Sequence, residues 1–336
     1  MSKEKAMKDR GEAAGRRQWD WQVDWAQPAD EAKLLQLFRK AFQAEMPVAQ
    51  WRWKYATSNP LGSMVREGEE IIAFYGGMPR PVQLFGELQT AVQIGDVMVD
   101  PSRRGVLTKR GPFFLTASAF SEQLVGPGKP YCYAFGFPSE RHYLLSNRLG
   151  LSDFVGEVFE GSWPALTTVM PWSLRVRPFV EADLPLVAGL WREMAAELHH
   201  KAVLVRDAAH LRHRYLEHPT LRYSLYLVTR RLTGRPLGVL VLRDHADLGV
   251  ELLDVIAAPA RMRFLVGIAR RLAGRLGRER LFAWMTESVV EGVGDPHCTV
   301  KASGIKVPAF TWKQPVAEPE RIRGHWWLMG GDADFR

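Results

Sequence analysis

The stretch IGDVMVDPSRRG, residues 94–105, decides the fold because a weaker version of it, LLDVIAAPARM, returns at residues 252–262. In both stretches, Asp-Val is followed by a proline five positions after the aspartate and by an arginine two positions further on. An apolar run that ends at a proline is typical of a buried strand that leads into a turn. The recurrence predicts that one structural unit occurs twice in this chain.

Three further matches support a duplication. They occur in the same order and at nearly the same spacing, and they pair Trp51–Pro60 with Leu211–Pro219, Asp30 and Leu37-Phe38 with Asp183 and Leu190-Trp191, and Leu149–Leu151 with Ser303–Ile305. A duplicated unit of about 150 residues would produce this pattern. We therefore predict a flexible tail at 1–18, an N-terminal domain at 19–165 and a C-terminal domain at 173–336, joined near Gly161–Trp172.

Periodicity and punctuation give the elements of the first copy. We expect strands near 21–25, 70–76, 81–85, 91–99 and 131–137, and helices that carry Leu34–Phe42, begin at Pro112 and span Ser139–Leu149. The second copy should repeat this order. The expected fold class is α/β, with a central twisted mixed sheet flanked by helices in each domain.

Composition narrows the class of protein. The chain has 336 residues, 46% of them hydrophobic, which is enough for two ordinary cores. Its apolar runs are strand-sized, and the basic amino terminus lacks an apolar signal region, so we expect a protein without a membrane association. Two cysteines give no disulfide framework and favour the cytoplasm. The net charge of +8 favours an anionic partner but does not choose among nucleic acid, lipid, cofactor and acidic protein.

The order strand, Arg-Gly loop, helix, strand and short helix ending in Leu-Gly-Leu resembles the GNAT superfamily of N-acetyltransferases. The first copy carries the resemblance best, as Asp96-Val-Met-Val-Asp-Pro-Ser-Arg-Arg-Gly105. The resemblance implies a GNAT-like fold in each domain, with acetyl-CoA or another acyl-CoA as co-substrate and no metal. It also implies acyl transfer to the amine of a small molecule or peptide.

The family's pyrophosphate loop maps onto the segment after the central strand. Here that loop is longer than the family pattern, because the sequence continues as Val106-Leu-Thr-Lys-Arg-Gly111. Glycines allow close approach of the backbone, a helix start binds anions, and basic side chains add charge. The cofactor-binding residues implied are Arg103, Arg104, Gly105, Lys109, Arg110 and Gly111. The second copy lacks the Arg-Gly turn, so we expect it to be degenerate.

The resemblance also implies catalytic roles. Backbone N–H groups near Met98 and Val99 would stabilise the oxyanion of the thioester. Asp96 would accept the proton of the amine, or else be a structural carboxylate, an alternative favoured by Asp254 in the degenerate copy. Relatives often carry a tyrosine, as proton donor to the thiolate, where this chain has Ser146. Tyr143 lies one helical turn earlier and His142 beside it, and water is a further donor. No covalent intermediate is needed, so Cys132 is expected to be a strand residue rather than a nucleophile.

Several other patterns are assigned structural roles. His210, His213 and His218 lack the further ligands that a metal site needs. The basic face of the helix predicted at 261–280 is interpreted as solvent-exposed, although a dock for an acidic carrier protein or RNA stays open. The tryptophans at 19, 21, 25, 51 and 53 are expected to pack rather than to line a pocket. Trp326-Trp327 should form a last strand, followed by the acidic turn Asp332-Ala-Asp334, which has no assigned role.

The leading functional hypothesis is an N-acyltransferase that works by direct attack in a ternary complex. A non-catalytic acyl-CoA-binding or scaffold protein is the alternative, because the tyrosine is missing at Ser146 and the glycine loop is altered. Nucleic-acid binding is disfavoured, since charge alone motivates it.

Overall fold

A computed structural model describes residues 20–310, 312 and 319–336. The six strands of the first half are β1 Trp21–Ala26, β2 Gly62–Glu67, β3 Glu70–Leu84, β4 Glu87–Val99, β5 Ala134–Gly136 and β6 Ser152–Pro164. Its helices are α1 Glu31–Phe42, α2 Val48–Lys54, α3 Pro112–Leu124 and α4 Glu140–Arg148, with single 3₁₀ turns at Pro28–Asp30 and Pro101–Arg103.

The second half repeats this order of elements. Its strands are β7 Leu174–Pro178, β8 Ala202–Leu204, β9 Ser224–Arg230, β10 Pro236–His245, β11 Gly249–Ile256, β12 Arg280–Thr286, β13 Thr299–Phe310 and β14 Trp326–Trp327. Its helices are α5 Leu184–Glu197, α6 Ala208–Leu211 with a π-helical turn at Arg212–Leu216, α7 Met262–Arg275, α8 Glu287–Val293 and α9 Pro319–Ile322. Single 3₁₀ turns occur at Glu181–Asp183, Pro259–Arg261 and Gly330–Asp332.

The strands form two mixed seven-stranded sheets, which confirms the predicted fold class. The first sheet has the order β1-β2-β3-β4-β5, with β8 paired to β3 and β14 paired to β8. The second has the order β13-β6-β12-β11-β10-β9-β7. The two aspartates of the repeated motif lie in β4 and β11, and each of these strands has an antiparallel neighbour on one side and a parallel neighbour on the other. The two copies of the motif therefore occupy equivalent places.

The two sheets exchange strands. β6 begins before the predicted junction but pairs with β12 and β13 in the second sheet, whereas β8 and β14 come from the second half and extend the first sheet. A shared core of buried side chains from both sheets lies between them, including Phe135, Val155, Leu204, Val307 and Trp326. The junction predicted at Gly161–Trp172 is wrong at its start, because β6 continues to Pro164. The boundaries 19–165 and 173–336 stay a prediction, and the tail at 1–18 lies outside the described residues.

The strands predicted at 70–76 and 81–85 are one strand, β3. Its amino-terminal half pairs with β2 as far as Gly76, and its last three residues pair with β8. Pro79 and Pro81 lie in the interval, where β3 pairs only with β4. Val92, the residue opposite Pro79, donates its N–H to the carbonyl of Tyr133, on the side of β4 away from β3. Pro79 and Pro81 therefore have their nitrogens on the unpaired side of β3, where they interrupt no ladder hydrogen bond.

The predicted helices are confirmed with small changes at their ends. α1 buries Leu34, Leu37 and Ala41, and α3 begins at Pro112 as expected. The helix predicted at 261–280 is the shorter α7. It buries Leu265, Ile268, Ala269 and Leu272, whereas Leu276 lies beyond its end and is exposed. Arg270, assigned to its exposed basic face, is instead buried and donates to the carbonyl of Pro164 at 2.9 Å. Within the described part of the chain, no helix is both long and apolar enough to cross a membrane.

Candidate active site

A notch opens in the first sheet where β4 and β5 separate. The two parallel strands pair only between Val92–Ile94 and Ala134–Gly136. Directly afterwards β4 forms a bulge, in which two residues, Asp96 and Val97, stand opposite one residue of β3. Asp96 has a φ of 47°, a left-handed conformation that aspartate tolerates better than most residues. The bulge turns β4 away from β5 and exposes its edge.

A cavity of about 420 Å³ fills this notch. One wall is the β4 edge from Ile94 to Val97, and the opposite wall is Gly136–Ser139 with α4. Most of the lining is apolar and aromatic, contributed by Phe38, Phe42, Met46, Tyr75, Phe113, Phe137, Pro308, Phe310 and Phe335. The polar lining includes Asp96, Tyr143 and Ser146, so the three residues predicted as catalytic meet in one cavity.

Asp96 belongs to a charged cluster at the base of the cavity. Lys54, the last residue of α2, has its Nζ 2.7 Å from Asp96 Oδ2 and 2.6 Å from Asp334 Oδ2. The hydroxyl of Tyr55 donates to Asp96 Oδ2 at 2.9 Å, and Gln93 Nε2 donates to Asp334 Oδ1 at 3.1 Å. One ammonium group therefore bridges two carboxylates that are 238 residues apart in the chain and that meet because the C-terminal segment returns to the first sheet.

 Asp96 comes from the bulge of β4, whereas Asp334 comes from the segment that follows β14.

Burial and ion pairing act in opposite directions on this cluster. Burial lowers the pKa of Lys54, but the charges of Asp334 and Asp96 outweigh it and hold that pKa well above its usual value. Burial raises the pKa of Asp334, but Lys54 outweighs it and holds that pKa below its usual value. The pKa of Tyr55 is raised well above its usual value by burial and by the charge of Asp96. Lys54 and Asp334 are therefore both charged at neutral pH.

The second copy contains a similar cluster in a sealed form, with Arg206 from the segment after β8 as its cation. Arg206 Nε donates to Asp254 Oδ1 at 2.8 Å, Arg206 Nη2 donates to Asp332 Oδ2 at 2.6 Å, and the hydroxyl of Tyr215 donates to Asp254 Oδ2 at 3.0 Å. The side chains of Arg206, Asp254 and Asp332 are 0% exposed. In the first copy Lys54, Asp96 and Asp334 are 3%, 9% and 11% exposed, and they face the cavity. Only the first cluster is accessible to a ligand.

The C-terminal segment fills the corresponding notch of the second sheet. β11 and β12 pair only at Val250–Leu281 and Glu251–Phe282, after which β11 bulges and the strands separate. The turn Gly330–Asp332 lies in the gap, where a Cβ on Gly330 would be 3.3 Å from Glu251 Oε1 and 3.6 Å from a side-chain carbon of Leu253. A Cβ on Gly331 would overlap the Tyr215 hydroxyl. The two glycines allow the backbone itself to occupy this notch.

The groups available as proton donors in the first cavity differ in their surroundings. Tyr143 is half-buried and lines the cavity, whereas Ser146 is buried and its Oγ is 2.8 Å from Ser152 Oγ. His142 lies 3.2 Å from Ser139 Oγ through Nδ1, and its pKa is lowered by burial and by Arg141. Tyr75 was not predicted. Its hydroxyl is buried at the cavity wall and has no hydrogen-bond partner among the described residues.

The predicted cofactor loop lies between β4 and α3. Its two arginines hold the loop in place. Arg103 Nη2 is 2.5 Å from Glu67 Oε2, and Arg104 donates to the carbonyls of Val99 at 3.1 Å and Ala41 at 2.5 Å. Gly105 is exposed between them and the second part of the loop.

The second part of the loop leads into the first turn of α3. Lys109 Nζ lies 5.2 Å from the ring centroid of Trp312, and Arg110 is exposed. Gly111 donates its N–H to the carbonyl of Thr108 at 2.9 Å, and a Cβ on it would clash with the carbonyl oxygen of Val106. α3 begins beside the cavity, and the first N–H groups of a helix have no partner within it. The loop and helix start fit an anionic group such as a pyrophosphate.

Met98 and Val99 lie one step beyond the cavity. They pair with Phe74 and Ala73 of β3, and Met98 is buried in the core beneath α1. The cavity is lined instead by Ile94, Gly95, Asp96 and Val97. The exposed edge of β4 is therefore displaced toward the amino terminus from the residues that the resemblance implied, and the role of Met98 and Val99 stays a prediction.

The remaining candidates have structural surroundings. The described residues contain no group of three or more His, Cys, Asp or Glu side chains placed to hold a metal ion. Cys132 is half-buried just before β5 rather than within it, and burial raises the pKa of its thiol to about 11. Trp51 packs in the core, as predicted, but Trp53 stacks on His213 with a ring distance of 5.0 Å. Trp19 lies outside the described residues.

Sequence reasoning missed Lys54 and Asp334. Lys54 stands directly before Tyr55, whose match with Tyr215 was already visible in the repeat. Asp334 is part of the acidic turn that had no assigned role. Their proximity depends on the return of the C-terminal segment to the first sheet, which no local sequence pattern predicts.

Comparison with known proteins supports the same fold. Residues 22–113 match the family model of an acetyltransferase (GNAT) domain. No curated protein matches the chain. Among solved structures, a probable N-acyltransferase from Enterococcus faecalis is 13% identical, with a TM-score of 0.65 over 86% of this chain and 71% of that one.

Two further structures have the same architecture. A GCN5-related N-acetyltransferase from Kribbella flavida is 16% identical, with a TM-score of 0.63 over 87% of this chain and 71% of that one. The N-myristoyltransferase of Saccharomyces cerevisiae, solved with myristoyl-CoA and inhibitors, is 10% identical, with a TM-score of 0.54 over 86% of this chain and 79% of that one. The resemblance to GNAT N-acetyltransferases is confirmed as a fold: residues 22–113 match the model of a GNAT domain, and the two-sheet architecture is the fold that these solved structures share.

Proposed function

We propose that the protein is an N-acyltransferase that transfers an acyl group, acetyl in the simplest case, from acyl-CoA to the amine of a small molecule or peptide. The observation that carries the proposal is the contrast between the two notches. The first is open, is lined by Asp96 and lies beside a helix start with basic side chains, whereas the second is filled by the chain itself. We also propose that the protein is cytoplasmic, as its two cysteines predict.

The residues of the first notch fit an acyl-CoA. The free backbone N–H groups at the start of α3, where Phe113 lines the cavity, would bind the pyrophosphate. Arg103, Arg104, Lys109 and Arg110 would add positive charge. The aromatic walls would hold the apolar parts of the pantetheine arm and of the acyl chain. The exposed edge of β4 would present backbone N–H groups to the thioester oxygen, where negative charge develops.

Direct attack requires a neutral amine close to the thioester. Asp96 and Asp334 would attract the ammonium form to the base of the cavity, and Asp96 would then take its proton, directly or through water. The positive charge of Lys54 offsets one of the two carboxylate charges and allows Asp96 and Asp334 to lie close together. Tyr143 would return a proton to the departing thiolate.

The direct test is thiol release from acetyl-CoA and from longer acyl-CoA donors with a panel of amines. The proposal requires release that depends on both the donor and the amine. Binding of acyl-CoA without release from any donor and amine pair would favour the alternative of a non-catalytic acyl-CoA-binding protein.

A further inference from the structure

A second cavity of about 230 Å³ lies between the two halves of the chain. Its lining includes Trp53 and Lys54 from α2, Arg80 from β3, His210 and His213 from the second half, and Asp334. Lys54 and Asp334 also line the first cavity, so the two cavities meet at this ion pair. A molecule in the second cavity would lie directly beside the cluster that contains Asp96.

Arg80 is the unusual group in this cavity. Its side chain is 16% exposed, and its ion-pair contact is a distance of 4.0 Å to Asp332, too long for a hydrogen bond. Arg206 binds Asp332 Oδ2 at 2.6 Å, whereas Asp332 Oδ1, the oxygen nearest to Arg80, has no hydrogen-bond partner among the described residues. The guanidinium of Arg80 donates no hydrogen bond to any side chain or carbonyl in the described part of the chain, and its Nη2 is buried without a partner.

The neighbouring Arg214 shows how a buried guanidinium is normally satisfied in this protein. Its nitrogens donate to the carbonyls of Gly331, Ala333 and Arg336 and to the hydroxyl of Tyr223, at 2.7–3.0 Å. A mostly buried cation without such partners is costly, and burial lowers the pKa of Arg80. Arg80 therefore has donors available for an anion.

The other titratable groups that line the cavity do not pair with Arg80. The pKa of His210 is well below its usual value because of burial and of the charges on Arg80, Arg206 and Arg214, so its ring is neutral. Its Nε2 is buried and has no partner among the described residues. Burial and Arg80 also lower the pKa of His213. The carboxylates in the lining are Asp207, whose Oδ1 accepts the N–H of His210 at 2.8 Å, and Asp334, which is paired with Lys54.

We propose that this cavity binds the carboxylate of the acceptor, with Arg80 as its main ligand, and that the acceptor is a free amino acid. Asp334 also lines this cavity, and its carboxylate would attract the amino group toward the cluster of the first cavity. The planar fork of a guanidinium matches a carboxylate, and Asp332 at 4.0 Å offsets part of the positive charge, which disfavours a phosphate dianion. The proposal rests on the proposed acyl transfer, because it names the acceptor of that reaction.

The test compares amino acids with their decarboxylated amines. Thiol release from acetyl-CoA is measured with leucine and isoamylamine, histidine and histamine, and tyrosine and tyramine. The proteins are the unmodified chain, Arg80→Gln, Arg80→Lys and the control Arg66→Gln. Arg66 is a comparably buried arginine of the first sheet, 21% exposed, which pairs with Asp24 and Asp30 away from both cavities. Calorimetric titration with each amino acid, in the absence of acetyl-CoA, gives a reading that does not depend on turnover.

The proposal predicts that at least one amino acid has a kcat/KM about 100-fold above that of its amine. Arg80→Gln should abolish this preference, Arg80→Lys should retain a small part of it, and Arg66→Gln should leave it unchanged. If Arg80→Gln melts below the assay temperature, the loss of preference in Arg80→Lys decides the question.

Other outcomes separate the two proposals. Equal use of amines and amino acids, with no effect of Arg80, would overturn the carboxylate site and leave the acyltransferase intact. Binding of amino acids that is lost in Arg80→Gln, without thiol release from acetyl-CoA or from the longer acyl-CoA donors, would support the site and overturn the acyltransferase. Neither binding nor turnover of any amino acid would overturn the carboxylate site.

Discussion

Asp96→Asn and Asp254→Asn form a matched pair, because the two aspartates occupy equivalent strands and bind partners of the same chemical types. Each accepts a tyrosine hydroxyl and one basic side chain. The two clusters differ in access, since Asp96 lines the open cavity and Asp254 is completely buried. We predict that the first substitution mainly impairs catalysis and that the second mainly impairs stability.

The stability effects follow from the burial of each cluster. Asp254→Asn leaves Arg206 with one carboxylate in a fully buried site, and removing one partner of a buried ion pair costs about 3–5 kcal/mol. Unfolding entropies near 2.1 cal/mol/K per residue give roughly 0.7 kcal/mol/K for this chain, so Tm should fall by roughly 4–7 °C. Asp96→Asn leaves Lys54 bound to Asp334 at 2.6 Å beside the cavity, and about 1–3 kcal/mol or roughly 1–4 °C is expected.

The catalytic effects should have the opposite order. A general base contributes about 100-fold or more, so Asp96→Asn should lower kcat/KM by at least that factor. Asp254→Asn should leave kcat/KM within about threefold when it is measured below its Tm. Both are measured by thiol release and by thermal unfolding. Retention of activity in Asp96→Asn, together with a loss of Tm, would show that Asp96 is a structural carboxylate and would refute this reasoning.

Three further predictions concern the first cavity and the loop beside it. Lys54→Met should lower the free energy of unfolding by about 3 kcal/mol at pH 7, because it leaves two buried carboxylates without their cation. The lowered pKa of Asp334 contributes stability that is present above pH 3.8 and is lost as the pH falls through the lowered value, so the difference between Lys54→Met and the unmodified chain in urea titrations should shrink below that pH. Gly111→Ala should weaken acetyl-CoA binding at least tenfold in calorimetry with little change in Tm, because its Cβ would clash with the Val106 carbonyl in the loop, and unchanged affinity would contradict this. Tyr143→Phe should lower kcat by about 10–100-fold with unchanged acetyl-CoA affinity, whereas Ser146→Ala should change kcat less than threefold, and the reverse order would assign the proton donor to the serine.

The fold was largely predictable because its information is local and repeated. The apolar strand before Pro101, the helix start at Pro112 and the matching motif at Asp254 identify the two copies without any tertiary knowledge. The exchange of β6, β8 and β14 between sheets could not be predicted in this way. It depends on which sheet edge offers a partner, and a strand of two or three residues, such as β14 or β8, leaves almost no periodic signal.

The candidate site was predictable only where one segment supplies it. Asp96, Tyr143 and Ser146 were found through a motif and a short helix, and they line one cavity. Lys54 and Asp334 approach Asp96 from α2 and from the C-terminal segment, so only the folded chain brings them together. The filling of the second notch could not be predicted either, because nothing in the motif at 252–262 indicates that the distant turn Gly330–Asp332 packs against it.

Calorimetric titration of the full chain with acetyl-CoA tests most directly whether one notch is open and the other is filled. We predict one site per chain, with affinity reduced at least tenfold by Arg104→Ala, which alters the loop of the first notch. Arg261→Ala, which changes the arginine of the second copy of the motif, should leave the affinity unchanged. Two equivalent sites per chain, or a single site that is lost in Arg261→Ala and retained in Arg104→Ala, would contradict the account.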